Sequence, residues 1–210
     1  MHYALALWFD IIYKPTCRGE CGLVIYADDF VVTFQHKNEA ERFLETVKER
    51  FKNFGLELES EKTRLVEFGK YARENRKKRG QGKPETFDFL GFTHYCSKSQ
   101  KGYFRVKRKT SRKKMRMRLT EMNDWIRSNG HLPVSTMIAA INAKLRGHYQ
   151  YYGITDNSMS IKTYYCRTVK ALFKWLNRRS QKRSYTWEGF RDLLKVFPLV
   201  QPRIRVSIYG

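Results

Sequence analysis

The chain has 210 residues and a mass of 25.1 kDa, and its 42 Lys+Arg against 20 Asp+Glu give a formal net charge of +22. A hydrophobic content of 41% with 15% aromatics excludes a disordered tail and suffices for one or two compact cores. No stretch approaches the roughly 18 uncharged apolar residues of a membrane span, and the short apolar run at the N-terminus lacks a positive flank, so a soluble, cytoplasmic protein with no membrane partner is expected.

A pI near 10.0 sets up a field for polyanions, and inside a cell the abundant polyanion is nucleic acid. The four cysteines, Cys17, Cys21, Cys96 and Cys166, are scattered. Cys17-x3-Cys21 is half of a possible zinc site, but no second Cys/His pair stands at matching spacing, which favours buried or incidental thiols.

Leu23–Tyr26 (LVIY) and Phe30–Phe34 (FVVTF) are continuous apolar runs of β-formers around Ala27-Asp28-Asp29. They predict a hairpin covered on both faces. Apolar residues at Ala40, Phe43, Leu44, Val47, Phe51 and Phe54 predict a helix over 38–54, capped by Asn38, supported by Glu41 and ended by Gly55. A further strand is expected at Arg64–Phe68 and a basic loop at Tyr71–Lys83. Phe87–Tyr95 and Tyr103–Val106 predict a second hairpin across the polar turn 97–102.

Helical spacing dominates thereafter. The first helix carries Met115, Leu119, Met122 and Ile126 and stops at Asn129-Gly130. The second runs from near Ser135 through Ile138, Ile141, Leu145 and Tyr149 to Gly153. The third, over 160–179, buries Ile161, Tyr165, Thr168, Leu172 and Leu176, and a fourth is capped by Thr186 and ends before Pro198. The fold class is α+β, a small mixed domain followed by a helical bundle.

Asp28 and Asp29 carry the sharpest chemical signal. Adjacent carboxylates between buried apolar strands repel each other and lose hydration, and a divalent cation offsets both costs. Mg²⁺ takes hard oxygen ligands, and a two-metal site clamps the attacking and leaving oxygens of phosphoryl transfer. Aspartates also favour tight turns for purely conformational reasons, and by itself Asp-Asp favours that reading.

The surroundings add to it. Tyr26-Ala27-Asp28-Asp29 between LVI and FVV resembles the catalytic hairpin of reverse transcriptases. Gly55–Phe68 (GLELESEKTRLVEF), Phe89–Phe92 (FLGF) and Leu145–Gly153 (LRGHYQYYG) follow in order. Together the four blocks resemble the later palm and the thumb of a group II intron-encoded reverse transcriptase/maturase, over nearly the whole chain. YADD alone is moderately specific; four blocks in order are highly specific.

The resemblance implies a partial palm (the antiparallel YADD hairpin plus helix) over 1–95 and a helical thumb, the maturase-specific domain, over 96–210. It implies that Asp28 and Asp29 bind the metal and that Tyr26 and Ala27 place the primer end. Lys62 would lie near the nucleotide and donate a proton to pyrophosphate, while Phe89, Leu90, Gly91 and Phe92 would grip the primer strand. A surface lysine after a helix and a buried strand glycine account for Lys62 and Gly91 without any such role.

The family's polymerase also needs a third carboxylate from an earlier palm strand, with fingers and a nucleotide-binding loop, and His2–Phe9 resembles the helix just before the YADD block. Asp10 and Asp88 do not correspond to that third ligand. The expectation is therefore that the isolated chain does not polymerise and that an N-terminal reverse transcriptase half would complement it. No zinc-bearing endonuclease segment, which some members carry, is expected.

Lys98–Arg118 contains eleven Lys/Arg in 21 residues, and the first acid after Asp88 is Glu121. Solvated faces usually mix both signs, so a hairpin and helix bearing Lys107, Arg108, Lys109, Arg112, Lys113, Lys114 and Arg116 predict a phosphate-tracking surface. Arg146, His148, Tyr149, Tyr151 and Tyr152 combine cations with rings that stack on splayed bases or pack the bundle, and Arg146, His148 and Tyr151 are the candidates for contact. Lys174, Arg178, Arg179, Lys182 and Arg183 extend the positive charge.

The expected function is RNA-directed DNA polymerase and intron maturase, with nucleotidyl transfer by two Mg²⁺ on Asp28 and Asp29 in the complemented enzyme. Expected partners are group II intron RNA, an RNA/DNA template–primer duplex and dNTP. The alternatives are a non-catalytic RNA-binding module that assists splicing, and a decayed inactive remnant.

Overall fold

A computed structural model describes residues 2–179 and 184–209, so Lys182 and Arg183 lie outside the described residues. It is mixed α and β, with two small antiparallel sheets and several helices. Two compact units divide it: Met1–Phe68 with Lys83–Glu85, and Gly69–Gly82 with Thr86–Gly210. No described helix is long and apolar enough to cross a membrane.

The first unit opens with wide π-helical coils at His2–Leu7 and Phe9–Tyr13, closed where the Lys14 N–H donates to the Phe9 carbonyl. Two strands follow, β1 (Cys21–Tyr26) and β2 (Asp29–Phe34), paired antiparallel from Cys21 with Phe34 to Tyr26 with Asp29. Helix α1 (Lys37–Asn53) returns across them. Its buried Phe43, Val47 and Phe51 meet Leu5, Trp8, Phe9 and Tyr13, with Leu23, Ile25, Phe30, Val32 and Phe34 packed alongside. Each fully buried side chain of this size contributes about 1.5–3 kcal/mol, which is what makes so small a sheet persist.

Three expectations are corrected in this unit. The hairpin is covered on one face only, because α1 and the N-terminal coil are the layers packed on it; Val24 and Tyr26 point outward and are exposed. Asn38 does not cap α1: His36 stands at the cap without a side-chain hydrogen bond. The segment Arg64–Phe68 belongs to neither sheet, since β propensity makes a strand only where a partner edge is available. The predicted stop at Gly55 holds. With φ at 65°, Gly55 donates its N–H to the Lys52 carbonyl at 3.1 Å and Leu56 donates to Phe51 at 2.9 Å, the paired bonds of a Schellman end.

The second unit begins with α2 (Ala72–Lys78), a short helix where a basic loop was expected. Its Glu74–Lys78 pair at four-residue spacing (3.2 Å) gives this polar stretch local support. Phe87–Tyr95 is not one strand but a hairpin, β3 (Phe87–Phe89) and β4 (Phe92–Lys98), and β5 (Phe104–Thr110) completes an antiparallel meander. Leu90 (φ 49°) and Gly91 (φ 77°) form the two-residue loop between β3 and β4. Two successive positive φ values are what the right-handed strand twist demands of so short a loop.

Four helices follow: α3 (Arg112–Ser128), α4 (Val134–Tyr152), α5 (Ser158–Leu176) and α6 (Trp187–Val196). Ser111 caps α3 by accepting from the Lys114 N–H, and Thr186 caps α6 by accepting from Gly189. The core is built from Met122, Ile126, Met137, Ile138, Ile141, Leu145, Tyr149, Ile161, Leu172 and Leu176, with Phe190 and Leu199 from the C-terminal segment. Tyr164 takes the inner position expected for Tyr165, a one-residue shift of face within the same helical stripe.

Candidate metal hairpin and nucleic-acid interface

The loop joining β1 to β2 has two residues. Tyr26 pairs with Asp29 across the ladder, so only Ala27 and Asp28 reverse the chain, and Ala27 does so at φ 52°. A left-handed alanine costs on the order of 1–2 kcal/mol, a strain held by the paired strands beneath it. The result puts Asp28 in the loop and Asp29 at the first position of β2, both exposed.

Exposure overturns the argument from burial. The carboxylates are not driven onto a cation by lost hydration, because the hairpin is open on one side. What remains is adjacency: two hard oxygen donors on consecutive residues of a short rigid turn. Such a pair suits a Mg²⁺ ion that keeps waters and completes its shell with substrate phosphates. Among the described residues, no group of three or more His, Cys, Asp or Glu side chains could hold a metal ion. The pair therefore fits as part of a ligand set, and the Cys17/Cys21 half-site stays a pair of free thiols.

Lys62 is in the same unit. Its ammonium is bonded to the Glu59 carboxylate at 2.5 Å. Glu59 raises the lysine pKa above its ordinary value, and the Asp29 carboxylate adds to the rise. Lys62 therefore stays protonated at neutral pH. The Glu59 pair is solvent-exposed and weak, so the ammonium is free to change partners.

In the second unit, β5 and α3 present the cationic run. Lys109 and, on α3, Arg112, Lys113, Lys114 and Arg116 are exposed, while Lys107 and Arg108 are half-buried. Among the described residues none of these seven has a carboxylate partner; Arg118 alone in the segment 98–118 pairs with one, Glu121, at 3.0 Å. The first turn of α3 holds no acid and three cations. That is the wrong sign for the positive end of a helix dipole, costing about 0.3–1 kcal/mol per charge. A phosphate at this point would offset both the dipole and the cations.

The β3–β4 hairpin is tied into the bundle. Tyr151 donates its hydroxyl to the Leu90 carbonyl at 2.8 Å, and Phe92 is stacked on Tyr151 with ring centroids 5.7 Å apart. The Ser111 N–H donates to the Gly91 carbonyl at 2.9 Å, and a Cβ on Gly91 would lie 2.9 Å from the Tyr152 hydroxyl. Phe89, Leu90, Gly91 and Phe92 are therefore placed together with Tyr151 and the start of α3. Arg146 is exposed on α4.

His148 is placed differently from the expectation of a nucleic-acid contact. It is 7% exposed and stacked on Tyr164 at 3.8 Å, with Tyr152 at 4.7 Å. Burial lowers its pKa to about 4, with Arg118 adding to the shift. It is a neutral core imidazole. Its neighbours Tyr149 and Tyr152 are likewise in the core, so only Tyr151 of this aromatic run faces solvent. One further residue of the same face, His94 on β4, has its ring parallel to Phe87 at 4.9 Å; the alternation of Phe92 and His94 along the strand is its sequence signal.

Two family models match the sequence. Residues 2–94 match reverse transcriptase (RNA-dependent DNA polymerase), and residues 112–192 match the group II intron, maturase-specific domain. No curated protein matches the chain.

Proposed function

Because the chain belongs to the family of group II intron reverse transcriptases/maturases, whose reverse transcriptases use divalent metal ions, we propose that it supplies the metal-binding hairpin and the nucleic-acid clamp of an RNA-directed DNA polymerase. In this reading residues 1–95 serve as late palm and 96–210 as thumb. Asp28 and Asp29 hold Mg²⁺ at the hairpin tip, and Tyr26 and Ala27 set the position of the primer end. Bound divalent ions supply positive charge to the attacking and leaving oxygens of phosphoryl transfer.

Lys62 keeps a protonated ammonium within electrostatic reach of Asp29 and hands a proton to the departing pyrophosphate after leaving Glu59. The Phe89–Phe92 hairpin, braced by Tyr151, positions the primer strand. Lys107, Arg108, Lys109, Arg112, Lys113, Lys114, Arg116 and Arg146 track phosphates of the template–primer duplex and of intron RNA. The observation that carries the nucleic-acid part is the acid-free, cation-loaded first turn of α3. Among the described residues the hairpin's two carboxylates belong to no larger ligand group, and in this reading a third carboxylate and a nucleotide-binding surface come from a complementing reverse transcriptase segment.

Primer extension with Mg²⁺ tests this, using the chain alone and together with a reverse transcriptase N-terminal segment. The expected result is synthesis only in the complemented mixture, abolished by Asp28→Ala. Synthesis by the chain alone would refute the need for complementation. Salt-sensitive RNA binding without synthesis in either case would support the second reading, a splicing cofactor that holds intron RNA through the same α3 surface.

A further inference from the structure

We propose that the second unit carries a pocket for one unstacked nucleobase of single-stranded RNA, formed between the β3–β4 hairpin, Arg108 of β5 and the C-terminal end of α4. A cavity of about 250 Å³ is lined there by Phe89, Leu90, Phe92, His94, Arg108, Tyr151 and Ile154. It is smaller than the roughly 300–1,000 Å³ of drug-sized sites. That volume suits one planar ring system rather than a duplex.

The lining decides the chemistry. Phe89, Phe92 and Tyr151 are aromatic, and aromatic faces accept any base by stacking. Phe92 and Tyr151 are already near-parallel, with an interplanar angle of 16°, and Tyr151 is fixed by its hydroxyl bond to Leu90. The wall is therefore preorganised rather than shaped by the ligand.

The polar groups are those a base edge would satisfy. Among the described residues the Arg108 side chain makes no hydrogen bond and no ion pair, although it is only partly exposed. Among the described residues its Nε and the Nδ1 of His94 are both buried without a hydrogen-bond partner. A half-buried guanidinium lacking an anion is costly, and its planar fork fits the acceptor edge of a base or the phosphate beside it. Burial and the Arg108 charge both lower the His94 pKa, against a smaller opposing pull from the Phe92 backbone, which favours the neutral imidazole there. Lys107 and Lys109 alternate with Arg108 along β5 and point to the opposite face of the sheet, Lys109 lying over the Tyr95 ring at 5.7 Å, so Arg108 is the cation on the pocket side of this strand.

The proposal rests on the nucleic-acid reading for its class of ligand, not for the site. It is separable from that reading, because duplex binding by α3 requires no extruded base. The test compares a short single-stranded RNA with the same strand carrying one central abasic residue. The wild-type chain should bind the intact strand about tenfold more tightly, the lower part of what one stacked base contributes. Ile154→Trp, which fills the cavity from its wall, should erase that preference while duplex affinity stays within twofold.

Equal binding of the intact and abasic strands would overturn the pocket, and salt-sensitive duplex binding alongside it would leave the proposed function standing. A preference that survives in a folded Ile154→Trp chain would also overturn it. Should that variant fail to fold by circular dichroism, photocrosslinking of the wild type decides. A 4-thiouridine-bearing strand should crosslink to Phe89, His94 or Tyr151, and crosslinks confined to α3 would refute the site.

Discussion

Asn157 and Thr110 clasp each other across 47 residues of sequence. The Thr110 N–H donates to Asn157 Oδ1 at 2.7 Å, and Asn157 Nδ2 donates to Thr110 Oγ1 at 2.9 Å and to the Tyr152 carbonyl at 2.8 Å. Asn157 is wholly buried. One side chain thus fixes the end of β5, where the cationic strand enters α3, to the junction of α4 and α5. Asn157→Leu keeps the volume and orphans both backbone groups, at about 1–3 kcal/mol each. A loss of about 2–5 kcal/mol is expected in urea unfolding, with Asn157→Asp also destabilised because it cannot donate to Tyr152.

Gly91 offers a controlled comparison. It has φ 77° and its added Cβ would meet the Tyr152 hydroxyl at 2.9 Å, whereas Gly80 has φ 68° with nothing within 4 Å. Gly80→Ala should cost only the left-handed strain, about 1 kcal/mol. Gly91→Ala adds displacement of a buried tyrosine and should cost about 1–2 kcal/mol more. Equal losses in parallel thermal melts would show that Tyr152 moves aside freely and does not seat the hairpin.

The hairpin tip could be read from sequence because its signal is local: two acids between runs of β-formers need only the chain itself to make a turn. The helices of the second unit were legible for the same reason, their apolar stripes being periodic over many residues. Arg64–Phe68 was not, since pairing depends on a neighbouring edge that no local pattern reports. Tyr71–Lys83 lacked an apolar stripe, so its helix left no periodic trace. His148 is ambiguous in sequence, because a titratable ring flanked by tyrosines has the same pattern whether it stacks on a base or on Tyr164. The exposure of Asp28 and Asp29 has no local signature either, since an apolar strand does not say how many layers cover it.

His148 makes the stability of the second unit pH-dependent. Its folded pKa, about 4, lies below the ordinary 6.5, so the folded chain favours the neutral ring and unfolding favours protonation. The stabilisation is full above about pH 6.5 and is lost as pH falls toward 4, by on the order of 3 kcal/mol in all. His94 is shifted the same way and adds to the slope. His148→Phe keeps the stack and removes an unpartnered Nε2. It should flatten the dependence of urea midpoint on pH between 7 and 4.5; an unchanged slope would place the titration elsewhere.

The first turn of α3 should trade stability against RNA affinity. Arg112 and Lys113 oppose the helix dipole and have no acidic partner among the described residues, so each costs the free protein about 0.3–1 kcal/mol. Replacing both by Gln should therefore raise the urea midpoint at low salt. If the two cations contact phosphates, the same change should reduce the slope of log affinity against log salt by about 1.4–1.8, at 0.7–0.9 per contact. The affinity loss should be uniform across RNA sequences, because phosphate contacts carry no base information. A loss of stability, or an unaltered salt slope, would mean that these cations serve the fold instead of a polyanion.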